Sequence, residues 1–343
     1  MHRKKFLSAL ATGSGLLFTD LARASNPVSH KLRRSKLPPY LAPGDTIGIT
    51  CPSGFITEKD IQAAVEQIQN WGYKIKVGAT VGKRDFSFGG TDEERAKDFQ
   101  DMIDDISVKA ILCARGGYGV VRIIDQIDFS SFKKHPKWVI GFSDITVFHN
   151  HLHSQFGVAT IHSKMCNSFP DDWSKAEPIQ IETILSLKKV LSGEIMGYEC
   201  LPDTRNREGM AEGQLVGGNL TMIATLSATA SDISTEGKIL FLEDVGEPLY
   251  NIDRLFCHLK RTGKLSHLNA LIIGGFTNIK PDTPEETFGR TVQDIVWEKV
   301  KEYNYPVCFG FPVGHQRNNY ALKCGVKHRL TVQADKVILQ ENG

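Results

Sequence analysis

Trp138-Val139-Ile140-Gly141-Phe142-Ser143-Asp144-Ile145-Thr146 is a short apolar run that stops at a glycine and gives way, across one serine, to a helical pattern. It predicts a strand over Trp138–Ile140, a corner at Ser143 and a helix from about 144 to 155. Working outward from it, the same alternation recurs. Thr46–Thr50, Lys74–Val77 and Ala110–Cys113 read as strands, and about 57–71, 91–105 and 120–127 read as helices. Thr57 and Asp60 stand in capping-box spacing, with Gly72 as the stop. Repeated strand–helix alternation predicts a parallel sheet covered on both faces, with its ligand site at the carboxyl ends of the strands.

Downstream, the pattern loosens between about Ser168 and Arg207 into polar, Pro-containing sequence with one helix near 179–191, and the connection between two domains is expected there. Strong apolar runs return at Lys238–Leu242 and Leu271–Ile273, followed by a helix from about 284 to 302 and strands near 329–332 and 336–340. The expected architecture is α/β: a doubly wound parallel-sheet domain over 25–170, a connection over 171–207 and a second, mixed α/β domain over 208–343. The active site is expected in the cleft between the domains. The chain contains no internal repeat and no extended low-complexity tract.

A chain of 343 residues is long enough for two cores. With 41% hydrophobic and 23% charged residues, and 41 Lys+Arg against 39 Asp+Glu, it has the balance of an ordinary globular protein. A net charge of +2 gives no basis for expecting nucleic acid or an anionic membrane as partner. Residues 1–24 stand apart: His2, Arg3, Lys4 and Lys5 lead into an apolar stretch from Phe6 to Phe18 and then Ala22-Arg23-Ala24. This is the layout of a secretory signal peptide, too short and too diluted by Gly and Ser for a retained span, so an exported, periplasmic protein is expected. Arg3-Lys4-Lys5-Phe6-Leu7 also resembles a twin-arginine signal in which lysine replaces an arginine, which leaves the export route open. The seven cysteines form no C-x-x-C pair, and buried free thiols are expected rather than a disulfide framework.

A serine at a strand-to-helix corner exposes its hydroxyl, and the first helical N–H groups point at any negative charge formed beside it. Taken alone, Ser143 is equally a helix cap. The G-x-S-x-G pattern is incomplete at Ile145, which disfavours an ordinary α/β-hydrolase. A nucleophilic serine needs a base, and the base a partner that orients it. Lys238–Glu247 is a hydrophobic strand ending in carboxylates, which puts Glu243 at its terminus; adjacent carboxylates are also commonly plain surface charge. His315 lies in the Gly- and Asn-rich loop Phe311–Asn319, one of 11 histidines in the chain. Arg115-Gly116-Gly117-Tyr118-Gly119 has the flavour of a phosphate loop but lacks the lysine of G-x-x-x-x-G-K-[ST] and one glycine of G-x-G-x-x-G. His149, His151 and His153 offer a rival zinc reading, but the glutamate of H-E-x-x-H and an acidic third ligand are missing. No metal and no other cofactor is expected.

Ala114–Gly119, Ile140–Thr146, Gly217-Gly218-Asn219-Leu220, Phe241–Glu247 and Gly314-His315, in this order and at these separations, resemble the LD-carboxypeptidase family of serine peptidases, which includes the microcin C self-immunity peptidases. The resemblance runs from about Pro38 to the C-terminus. It implies Ser143 as nucleophile, His315 as base and Glu243 as the group that orients it, with the N–H groups of Gly117 and Asp144 as oxyanion hole. It also implies a murein substrate: terminal D-alanine cut from the L,D bond of a tetrapeptide stem, or, on the same fold, a peptidyl-nucleotide toxin. A non-catalytic periplasmic binding protein built of two α/β domains is the reading from another class. Arg115 is the candidate for the substrate carboxylate, or else a brace for the Gly-rich turn. Two departures bear on the pocket: the family's H-G-P-M appears as His162-Ser163-Lys164-Met165, and its G-T as Ala228-Thr229. Homodimerisation is left open.

Overall fold

The structure, a computed structural model, describes residues 35–281 and 287–342. The expected signal peptide at 1–24 and the start of the expected helix at 284 lie outside the described residues.

The first half runs β1 (Thr46–Thr50), α1 (Glu58–Asn70), β2 (Lys74–Val77), α2 (Asp92–Asp104), β3 (Val108–Cys113), α3 (Val120–Ile123), α4 (Ser130–Lys134), β4 (Trp138–Gly141), α5 (Thr146–Phe156) and β5 (Thr160–His162). Both α1 and α2 begin with complete capping boxes, Thr57 with Asp60 and Thr91 with Glu94. Each box satisfies two N–H groups that a helix start otherwise leaves without partners. The strands pair in the order β5-β4-β3-β1-β2, all parallel. That order reverses between β1 and β3, the doubly wound arrangement whose ligand crevice opens at the carboxyl ends.

The second half runs α6 (Pro178–Leu191), β6 (Gly197–Cys200), β7 (Gly209–Asn219), α7 (Leu220–Thr225), β8 (Ile239–Val245), α8 (Leu249–Arg261), β9 (Ala270–Thr277), α9 (Val292–Val300), β10 (Val307–Cys308), β11 (Leu322–Cys324), β12 (Lys327–Val332) and β13 (Val337–Glu341). Here β10-β9-β8-β7 are parallel and β12, β13 and β6 continue the same sheet antiparallel. The fold is therefore mixed α/β with two sheets. β11 does not join the sheet of its sequence neighbours; it crosses to pair antiparallel with β5 at the edge of the first.

The two sheets are stitched at buried points. Lys323 on β11 and Glu341 on β13 form an ion pair at 2.9 Å with side chains 1% and 5% exposed. The backbone N–H of Asn219, at the end of β7, donates to Thr146 Oγ1 at the start of α5 at 3.0 Å.

Three elements differ from the sequence expectation. The helix expected over 120–127 stops at Ile123 and tightens into a 3-10 turn over Ile124–Gln126. Ile123, Ile124 and Ile127 are all buried, and β-branched residues hold a helix weakly, so burial decides the backbone. Among the described residues α9 begins only at Val292, after the capping box of Thr291 with Asp294. β7 is invisible to periodicity because Gly209, Gly213, Gly217 and Gly218 interrupt it, and glycine is depleted in strands. The reason for glycine is close approach: a Cβ on Gly217 would lie 1.9 Å from the Phe241 carbonyl oxygen. All seven cysteines are free, five of them buried.

Candidate active site

β4 ends at Gly141, and the chain turns sharply at Ser143, whose φ of 65° is left-handed. A non-glycine residue held there is strained, and such strain persists where the surroundings over-determine it. The surroundings do so. Gly141 O accepts the Ser163 N–H at 3.1 Å and the buried imidazole of His149 at 2.9 Å. Asp144, 1% exposed, accepts the Ser53 hydroxyl at 2.6 Å and the Val120 N–H at 2.9 Å. Asp144 thereby ties the corner to the loop after β1 and to the end of the Gly-rich turn after β3. Burial raises the pKa of its carboxyl; the bonds from Ser53 and Val120 oppose that.

The Gly-rich turn lies directly on the serine. A Cβ on Gly116 would fall 2.9 Å from Ser143 Cβ and 3.1 Å from Ser143 Oγ, so only glycine leaves room. Gly117 (φ 126°) passes against Gly54, whose N–H donates to Gly116 O at 3.1 Å. Among the described residues neither the Gly117 nor the Asp144 N–H has a backbone acceptor in a turn or loop. Arg95, fully buried, holds this loop layer together by donating to Pro52 O and Gly119 O at 2.6 and 3.0 Å.

The second sheet supplies the remaining groups. Glu243 lies inside β8 rather than at its end, where the register against β9 shifts between Leu242 and Asp244. A bulge of this kind re-aims side chains. Glu243 is fully buried, and its Oε2 accepts both His315 Nδ1–H at 2.6 Å and the His315 backbone N–H at 3.2 Å. His315 Nε2 is 3.0 Å from Ser143 Oγ. Gly314 (φ 103°) makes the approach feasible, because a Cβ there would fall 2.5 Å from Glu243 Cβ. The neighbouring carboxylate faces the other way: Asp244 accepts Asn219 Nδ2 and the Thr221 N–H and hydroxyl at the start of α7. Successive residues of a strand point to opposite faces, which separates the two acids.

Two further residues position the histidine loop. Asn319 Oδ1 accepts the Gly314 N–H at 2.9 Å and His162 Nε2–H at 3.1 Å, which joins the loop of His315 to the end of β5. Burial holds the His162 imidazole neutral, at a pKa of about 3. A polar residue in an Asn-rich loop carries no sign of such a partner 157 residues away.

Of the sequence candidates, Ser143, His315 and Glu243 meet in one chain of hydrogen bonds; Asp144 follows the serine, and Gly117 follows Gly116, the glycine packed on it. Arg115 is half-buried, and its Nη1 donates to Phe55 O at 2.9 Å, a bracing contact within the loop layer. The three α5 histidines diverge: His149 to Gly141 O, His151 to Ser231 Oγ at 2.8 Å, and His153 to Lys238 Nζ at 3.0 Å. Beside His315 opens a cavity of about 730 Å³, lined among others by Phe142, Lys164, Gly314 and Asn319. The Phe142 and His315 rings, both in its lining, lie 4.9 Å apart. Chemically, an imidazole between a hydroxyl and a buried carboxylate can take up the hydroxyl's proton while the carboxylate stabilises the imidazolium that forms.

Two family models that together span most of the described chain place it among peptidase hydrolases. The chain belongs to the LD-carboxypeptidase family: residues 47–163 match the LD-carboxypeptidase N-terminal domain and residues 212–330 the C-terminal domain. It is 33% identical to the probable murein peptide carboxypeptidase of Bacillus subtilis (strain 168), over 89% of this chain and 94% of that one. The crystal structure of muramoyltetrapeptide carboxypeptidase from Oxalobacter formigenes superposes with a TM-score of 0.75 at 27% identity, over 87% of this chain and 99% of that one. The microcin C7 self-immunity protein MccF of Escherichia coli is 26% identical, over 84% of this chain and 90% of that one.

Proposed function

We propose that this protein is a serine carboxypeptidase that removes terminal D-alanine from the L,D bond of peptidoglycan tetrapeptide stems. The observation that carries the reading is the relay Ser143 Oγ–His315 Nε2 at 3.0 Å and His315 Nδ1–Glu243 Oε2 at 2.6 Å. In this reading His315 takes the Ser143 proton as Oγ attacks the scissile carbonyl, and Glu243 holds the imidazolium. The Gly117 and Asp144 N–H groups receive the oxyanion. His315 then passes the proton to the leaving amine of D-alanine, and an ester to Ser143 remains. Water, deprotonated by His315, cleaves the ester and restores the hydroxyl. The murein-directed names of the Bacillus and Oxalobacter proteins support the substrate class.

The layout of residues 1–24 supports export to the periplasm, where the murein stem is found. Mass spectrometry of exported material is expected to find Ser25 at the N-terminus; an intact Met1 would remove export. A second reading, hydrolysis of a peptidyl-nucleotide, is favoured by the 26% identity with the microcin C7 self-immunity protein.

Two measurements test the proposal. A small fluorophosphonate should label Ser143 covalently, and no labelling overturns the serine mechanism. Defined tri-, tetra- and pentapeptide stems should yield D-alanine from the tetrapeptide, and equal rates on D-Ala and L-Ala tetrapeptides would remove the L,D specificity while leaving the serine mechanism intact.

A further inference from the structure

The segment after β5 reads His162-Ser163-Lys164-Met165, and Lys164 takes the place of a proline in the pattern that the family resemblance carries. Its surroundings are unusual for a lysine. It is only 7% exposed, and among the described residues its ammonium has no hydrogen-bond or ion-pair partner. Lysine is almost never buried unless paired, because an ammonium taken from water without a counter-charge is costly. Burial pushes its pKa down to about 8.

Lys164 also stands where a substrate would be held. It lies two residues past the carboxyl end of β5, the strand beside the one that ends at the Ser143 corner. The next residue, Met165, reaches the Gly-rich turn: its Cε is 3.4 Å from where a Cβ on Gly116 would be, against the same wall as Ser143. Lys164 lines the cavity together with Phe142, Gly314 and His315. The cavity's other lysine and arginine are exposed, and each has an acidic partner. Lys175 pairs with Asp172 at 3.0 Å and Arg317 with Glu177. Outside the cavity lining, Arg115 donates to Phe55 O. An unpaired, partly desolvated ammonium in the wall of the cavity beside His315 is matched by an anion that arrives with the substrate, and a carboxypeptidase substrate always brings one.

We propose that Lys164 receives the C-terminal carboxylate of the substrate and thereby makes this enzyme select a free-acid terminus. The inference rests on the carboxypeptidase reading above and assigns to Lys164 the role that sequence alone had offered to Arg115.

The test compares the tetrapeptide stem as free acid with the same stem amidated at its C-terminus, on wild type, Lys164→Met and Lys164→Arg, with functional sites counted by fluorophosphonate titration of Ser143. The acid-to-amide ratio of kcat/KM should fall about 10- to 100-fold in Lys164→Met, the range expected for loss of a charge-assisted hydrogen bond. The change should lie mainly in KM, and Lys164→Arg should restore part of the ratio. An unchanged ratio, with acid and amide losing rate equally, assigns Lys164 a structural role and overturns the proposal. An unchanged rate on both substrates overturns it as well. Should Lys164→Met not fold, Lys164→Gln reads the same ratio. If wild type itself resists the fluorophosphonate, the serine reading falls instead, a result separable from any ratio.

Discussion

Ser143 combines three properties that rarely occur together: a left-handed backbone, a hydroxyl pressed against glycine and an imidazole within hydrogen-bond reach. A serine that only capped a helix would need none of them, and among the described residues neither the turn over Ser143–Ile145 nor α5 starts with a side-chain cap bond. Ser143→Ala and His315→Ala should therefore each lower kcat by about 10⁴- to 10⁶-fold, with KM little changed. Glu243→Gln should retain more activity, since the amide can still contact His315 while losing the charge that stabilises imidazolium. Steady-state rates on the tetrapeptide check the order, and Ser143→Ala at near-wild-type rate ends the serine mechanism.

At the scale of elements, the site depends on how a loop of the second sheet is pinned to a strand end of the first. Asn319 is the pin, bonded to Gly314 N–H and to His162. Asn319→Ala leaves the Gly314 N–H and the His162 imidazole without their acceptor, a cost of about 1–3 kcal/mol for a buried polar group. Fluorophosphonate labelling of this variant should slow by about 10- to 100-fold, because a misplaced base costs rate even in a folded enzyme. Gly314→Ala should be more severe, since both the positive φ and the 2.5 Å approach to Glu243 Cβ exclude a side chain. Labelling at wild-type rate in both variants would show that the loop tolerates movement.

Across the whole molecule, buried histidines link stability to pH. Burial depresses His149 and His328 to about 4 and His153 and His162 to about 3. Each is neutral when folded and, once unfolded, binds a proton near its ordinary value of about 6.5. The unfolded state thus holds more protons below that pH, so stability is full above pH 6.5 and falls as the pH drops toward the folded values. At pH 5 the loss has an upper bound of about 2 kcal/mol per histidine. Urea midpoints between pH 7.5 and 5 should fall steadily, and a flat profile would contradict the burial. The Lys323–Glu341 pair that joins the sheets gives a separate test. Lys323→Met leaves Glu341 buried without its cation and should cost about 3–5 kcal/mol. Lys323→Met with Glu341→Leu should recover much of that loss, because replacing both charges leaves neither unpaired.

By itself the sequence determined what depends on neighbours along the chain. The apolar runs, the capping boxes at Thr57 and Thr91 and the serine at the β4 corner are local signals, since they arise from 3.6- and 2-residue periodicities and from N–H groups within one turn. The spaced Gly-rich, carboxylate and Gly-His segments made the candidate residues legible as a set. Only the tertiary structure decided how those segments meet. It placed Glu243 within β8 at a bulge, tied Asn319 to His162, sent β11 across to the first sheet, and turned Arg115 toward a carbonyl while leaving Lys164 buried and unpaired. These outcomes depend on which strands lie side by side and which charges lose their water, and neither is a function of any short stretch of sequence.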